Sequence, residues 1–132
     1  MSIQKHPDKK NALSIIQAAE RELLYTFQLQ ITDESAFNII RNIYECFRML
    51  GDALLVSKGV VSEDHVQPIR ELLNIAVHTD RPIGLIDSLR KVRHNINYYG
   101  YIPSKSEADD AISLAKACFP QLAKCIKKKL AI

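Results

Sequence analysis

Apolar residues recur along this chain at steps of three and four almost from end to end, and strict apolar–polar alternation is nowhere sustained. That pattern predicts helices throughout. The first runs from about Asp8 to Gln30, with Leu13, Ile16, Leu23 and Phe27 along one stripe and Ile15, Ala19 and Leu24 widening it. Thr32 or Asp33 can cap the second, which continues to about Lys58 and turns Ile39, Ile40, Ile43, Phe47, Leu50 and Leu54 toward a core before Gly59 stops it. Its other side carries Arg41, Glu45, Arg48 and Asp52 at steps of four, three and four. Such an alternating-sign stripe reads as ordinary solvated ion pairs, each contributing about 0.3 to 0.5 kcal/mol.

Ser62 opens a polar turn, and Pro68 suits the first turn of a short helix ending near Ala76. A fourth helix, from about Ile83 to Tyr99, aligns Leu85, Leu89, Val92, Ile96 and Tyr99 for burial, with Gly100 as its left-handed terminator. Ser104 and Glu107 then form a capping box for a last helix reaching about Leu130. Its buried face is marked by Ala108, Ala111, Ala115, Cys118, Leu122, Cys125 and Ile126, and Pro120 should kink or interrupt it. The chain therefore reads as all-α, an up-and-down bundle of four long helices plus one short helix, in a single domain over 1–132.

Composition narrows the class. With 132 residues, 47% hydrophobic and 25% charged, the chain is long enough for one real core and short for two. There is no apolar run of membrane-spanning length, and Met1 to Asn11 is polar and lysine-bearing, so a cytoplasmic protein with no membrane partner is expected. Three cysteines, with no CxxC pair, argue against a disulfide framework or structural zinc; Cys118 and Cys125, seven apart on one apolar face, read as core residues. His6, His65 and His78 read as isolated surface or turn residues. No metal or cofactor is expected. Phosphate-loop, HExxH and GxSxG signatures are missing. The net charge of +3 becomes −1 once Lys124, Lys127, Lys128 and Lys129 are subtracted, so the basicity belongs to a solvated, frayed helix end whose cations suit the helix dipole.

Candidate chemistry is confined to the end of the fourth helix. Arg90, Lys91, Arg93 and His94 fall within five residues, followed by Asn97, Tyr98, Tyr99 and Tyr101. Guanidinium groups bind phosphate, amides read base edges and phenol rings stack on unpaired bases. Helical spacing sorts Arg90 with His94 and Arg93 with Asn97 on shared faces. A plainer account is also available, since basic residues suit a helix C-terminus, Asn97 and Gly100 suit a helix end, and Tyr99 can pack in the core.

The segments Asn42-Ile43-Tyr44-Glu45-Cys46-Phe47, Leu54-Leu55 with Gly59, the turn with His65, and Leu89 to Tyr98 followed by Tyr99-Gly100 and the helix start from Ser104 to Ala108 together resemble HEPN domains. These are nucleotide-binding helical bundles named for higher eukaryotes and prokaryotes, and the similarity covers most of the chain. In that family, nucleolytic members place a histidine after four to six residues intervening from an arginine that is often followed by Asn, Asp or His, and the pair cleaves RNA without metal. Arg93 and His94 match the opening of the motif, whereas Tyr98 stands where the closing histidine first falls. A phenol titrates near about 10 and an imidazole near about 6.5, so a tyrosine is the poorer general base. His94 is about 100° around the helix from Arg93, which makes Arg90 its natural partner.

The resemblance implies a homodimer whose two arginine segments line one cleft, an RNA or nucleotide ligand, and a small nucleotidyltransferase partner in a toxin–antitoxin module; Tyr99 and Tyr101 would then be conceivable nucleotidyl acceptors. The leading expectation is a HEPN-like binding domain without strong nuclease activity, using Arg90, Arg93, His94, Asn97, Tyr98 and Tyr101 toward the ligand. One alternative is a divergent metal-independent ribonuclease with Arg90 or Arg93 on phosphate and His94 as proton carrier, the catalytic candidates being Arg93, His94 and Tyr98. Another is a purely structural protein-interaction module.

Overall fold

A computed structural model of the chain describes residues 2–4 by their backbone, and residues 6–62, 64 and 66–131 in full. Among these, the fold is carried by five helices: α1 Lys9–Phe27, α2 Ala36–Ser57, α3 Val66–Leu73, α4 Leu85–Tyr99 and α5 Lys105–Leu130. The all-α expectation holds, with one addition. Ser2–Gln4 (β1) pairs antiparallel with Val60–Ser62 (β2), Ile3 opposite Val61. Three-residue strands are too short to show an alternation, so this ribbon left no pattern in the sequence.

Helix α2 is the hub and touches every other helix. Ile39, Ile40, Ile43, Tyr44, Cys46, Phe47, Leu50, Ala53, Leu54 and Leu55 are all buried, covering most of its circumference, as a helix surrounded by others requires. Phe47 meets Phe119 of α5 with ring centroids 5.9 Å apart. Helix α1 runs antiparallel to α2: a short bend joins them at one end, and at the other the Asp8 N–H donates to the Val56 carbonyl at 3.1 Å. The buried stripe of α1 is Ala12, Ile16, Ala19, Leu23 and Thr26, while Leu13 and Leu24 are exposed. The expected face holds at Ile16, Ala19 and Leu23, with Ile15 and Phe27 packed against the core, and is corrected at Leu13 and Leu24. Two alanines on the stripe allow close approach to α2, and the buried Thr26 hydroxyl is satisfied by donating to the Glu22 carbonyl at 2.8 Å.

The start of α2 also differs from expectation. Thr32 Oγ1 accepts from the Ser35 N–H at 3.0 Å and Ser35 Oγ donates to the Gln30 carbonyl at 2.7 Å, so these hydroxyls build the bend and the helix begins only at Ala36. Asp33 caps a different helix, its Oδ1 accepting from the Lys105 N–H at 2.7 Å at the start of α5. At the far end Gly59 has φ 77°, the left-handed conformation that favours glycine.

Asp64 caps α3, accepting from the N–H groups of Val66 and Gln67 at 3.0 and 2.8 Å. The Gln67 N–H, opposed by partial desolvation and aided by the Val66 N–H, holds the carboxyl below its usual range. His65 lies outside the described residues. Helix α3 ends at Leu73, short of Ala76, because Ile75 turns into the core. It lies directly on α2: a Cβ added to Gly51 would stand 2.0 Å from the Pro68 carbonyl oxygen.

In α4, Ile86 and Leu89 are buried and Leu85, Val92 and Ile96 half-buried, but Tyr99 is 77% exposed. Its expected core role fails because no described element covers the last turn of α4. Gly100, φ 65°, ends the helix, and the N–H groups of Gly100 and Tyr101 both reach the Asn95 carbonyl. The Ser104–Glu107 capping box is present, with Glu107 N–H to Ser104 Oγ at 3.3 Å and Ser104 N–H to Glu107 Oε1 at 3.2 Å. Helix α5 passes through Pro120 without interruption, and the proline is exposed.

The lysine-rich end is no frayed terminus. Leu130 is buried and Lys127 Nζ bonds Glu20 Oε2 of α1 at 2.9 Å. Cys118 is buried, its thiol donating to the Arg81 carbonyl at 3.2 Å, and Cys125 is half-buried. Burial pushes the Cys46 thiol up to about 12, so it packs as a hydrophobe. The expected solvated stripe on α2 is partly drawn in: half-buried Arg48 donates to both Glu45 and Asp52, while Arg41 lies over the Phe37 ring.

Candidate functional site

The side chains that end α4 meet α2 and the start of α3 around one cavity of about 300 Å³, lined by Tyr44, Val66, Arg90, Arg93, His94 and Tyr98. Four of the six expected ligand-binding residues, Arg90, Arg93, His94 and Tyr98, are thus together. Residues at positions 90, 93, 94 and 98 follow the steps of three and four that stack side chains along one helix face, which is why His94 and Arg93 share this cavity despite their different bearings. Asn97 is exposed and does not line it. Tyr101 does not line it either: its hydroxyl donates to Glu107 Oε1 at 2.6 Å, and that bond raises the phenol above its ordinary range. Its work is to hold the 100–104 turn against the capping box of α5.

Within the cavity the two arginines differ. Arg90 Nε donates to Asp87 Oδ1 at 2.8 Å, and this hydrogen bond, reinforced by the charges of Arg90 and Lys91, holds the Asp87 carboxyl below its usual range. Arg90 pairs with Asp87 one turn back, not with His94. No described carboxylate pairs with Arg93. Its Cζ lies 5.4 Å from the centroid of the Tyr44 ring, a cation–π contact with a side chain only 1% exposed. At the mouth, the His94 ring stands 4.7 Å from Tyr98 and 5.8 Å from Tyr99, the second edge-on. These rings give the cavity a partly open aromatic margin, and Tyr98 is 64% exposed.

Two contributors escaped the sequence. Tyr44 and Val66 sit 49 and 27 positions before Arg93, and nothing local signals that pairing. A phenol inside an otherwise non-hydroxylic apolar stripe of α2 was the available clue. Asp87 was missed as well, although an acid three residues before Arg90 is a local signal for that pairing.

A second hollow, of about 370 Å³, lies between α4 and α5 over Ile40, Leu85, Leu89, Val92, Ala111 and Leu114, where α4 packs loosely. Among the described residues no group of three or more His, Cys, Asp or Glu is placed to hold a metal ion, and no helix is long and apolar enough to cross a membrane. No family model, curated protein or solved structure matches the chain.

The arrangement presents one cation set against a neutral ring, one cation compensated by a carboxylate, and an imidazole among phenols. It can hold an anion and place a planar group beside it. Because Asp87 subtracts from the cavity's charge, Asp87→Asn should tighten binding of an anionic oligonucleotide by about two- to five-fold and steepen its salt dependence, read by titration at several salt concentrations. The sign for stability is opposite. Asp87 is depressed in the fold, so its contribution is present above the unfolded carboxylate range and is lost as pH falls through the folded value.

Proposed function

We propose that the protein is a HEPN-like, up-and-down helical bundle that binds the phosphate of a nucleotide or an RNA strand at the end of α4, and that it lacks strong nuclease activity. The observation that carries this reading is the pairing state of Arg93: it lines the cavity with no described carboxylate against it, while Arg90 beside it is already matched. A guanidinium in that state retains the donors that fork onto phosphate. Tyr98 and His94 supply faces for an unpaired base next to the anion. At the position where a motif histidine would take the proton stands the Tyr98 phenol, which accounts for binding without efficient cleavage.

On this reading the protein works in the cytoplasm as a homodimer through the exposed end of α4 and the turn after it, where Tyr99 and 83%-exposed Ile102 offer apolar surface. A small nucleotidyltransferase is the partner that the HEPN resemblance implies. The homodimer predicts that sedimentation gives twice the mass of one chain.

A second reading is favoured by one observation, the presence of His94 in the same cavity as Arg93. It makes the protein a metal-independent ribonuclease with His94 as proton carrier. Incubation with mixed single-stranded RNA and excess chelator separates the two. Bound but intact RNA supports the binding domain; chelator-resistant cleavage that disappears in His94→Ala replaces it with the enzyme. A protein that neither binds nor cleaves RNA or nucleotides sinks both and leaves a structural interaction module.

A further inference from the structure

The arginines around this site are held in two ways. Arg48 is matched by Glu45 and Asp52, and Arg90 by Asp87. Arg93 instead has the face of Tyr44, at 5.4 Å. The chemical difference is large. A carboxylate occupies guanidinium donors and cancels the charge, whereas a π face stabilises the cation electrostatically and leaves both charge and donors available. Tyr44 is also a fixed partner, locked in the core of α2, while an arginine on an open helix face would surrender side-chain freedom each time it gripped a ligand.

Burial pushes the Tyr44 phenol up in pKa, against the opposing charges of Arg93, Arg90 and Arg48, so the ring beneath Arg93 is neutral across the physiological range. It does not become a counter-ion.

We infer that Tyr44 is a positioning residue for anion binding: its buried ring holds the Arg93 guanidinium against the cavity with its charge uncancelled and its donors open to a phosphate group. This rests on the phosphate-binding reading above and adds a residue that acts through Arg93. The ring carries the role, so its hydroxyl is dispensable for it.

The test uses the full chain, a fluorescein-labelled single-stranded oligoribonucleotide, and the variants Tyr44→Phe, Tyr44→Leu and Arg93→Ala, each checked for folding by thermal melting. Tyr44→Phe should bind within about two-fold of the unaltered protein and Tyr44→Leu about ten-fold more weakly. Adding Arg93→Ala to Tyr44→Leu should weaken binding no further than Arg93→Ala alone, since both remove one device. A merely structural role would not move the second readout, the Arg93 Nε–Hε resonance. Ring current should displace it in the unaltered protein and in Tyr44→Phe, and it should relax in Tyr44→Leu.

Tight binding by folded Tyr44→Leu, or an Arg93 resonance unmoved by it, overturns the inference while leaving the phosphate-binding reading intact. If Tyr44→Leu does not fold, Tyr44→Phe decides, and loss of affinity there assigns the role to the hydroxyl and overturns the inference. Absence of binding by the unaltered protein overturns the underlying reading and this inference with it.

Discussion

Gly51→Ala is expected to destabilise the fold by about 3 kcal/mol and lower the melting temperature by about 10 °C. Alanine is the better helix former by about 1 kcal/mol, so propensity alone would favour the substitution. Packing overrides it. The added Cβ would stand 2.0 Å from the Pro68 carbonyl oxygen, 2.5 Å from its carbon and 2.8 Å from its Cα, whereas ordinary contact begins at 3.4 Å. Backbone atoms cannot rotate aside as a side-chain tip can, so α3 must withdraw by roughly 1.4 Å, the difference between 3.4 and 2.0 Å. Val66 is the first residue of α3 and a wall of the Arg93 cavity. The variant should therefore bind an oligoribonucleotide more weakly even at temperatures where it stays folded. A melting temperature equal to that of the unaltered protein would show that α3 does not seat on α2 at this glycine.

Arg93→Ala should reduce affinity for single-stranded RNA by about ten-fold and lower the slope of log affinity against log salt by about 0.7, the share of one neutralised phosphate. Thermal stability should fall by no more than about 1 to 2 kcal/mol, the worth of the cation–π contact with Tyr44. The two measurements must be read together. A general loss of structure would depress affinity and melting in parallel, while loss of a phosphate contact changes the salt slope and leaves the melt nearly in place. An unchanged slope with unchanged affinity would remove Arg93 from the ligand and with it the argument for this cavity.

The parts of the fold that local chemistry determines were legible in advance. Ser104 with Glu107, and the two left-handed glycines at 59 and 100, mark helix ends within a few residues, because a cap is satisfied by its own neighbourhood. Choices made by tertiary contact were harder to read. Leu13 and Leu24 had the hydrophobicity of core residues, yet they are exposed and Ala12 takes a place on the α1 stripe beside the expected Ala19, where small side chains let two helices approach. Tyr99 fell on the apolar spacing of α4, but spacing does not reveal where the neighbouring helices stop, and the last turn is left uncovered. For the site, a single helix supplied Arg90, Arg93, His94 and Tyr98, so its residues could be gathered from spacing. Tyr44 could not, because its contact with Arg93 crosses from α2 to α4 and depends on how those helices pack. Asn97 and Tyr101 show the converse limit: the right chemistry close in sequence, turned to solvent or engaged with Glu107.

The bond from the Lys105 N–H to Asp33 joins residues 72 positions apart, and it bears on the order in which the molecule assembles. The start of α5 has part of its cap within its own first turn, but this donor is completed only by the bend between α1 and α2. Closing so long a loop is entropically expensive until the α1–α2 hairpin exists to receive it. A disturbance at that bend is therefore felt at the start of α5, through the Lys105 N–H.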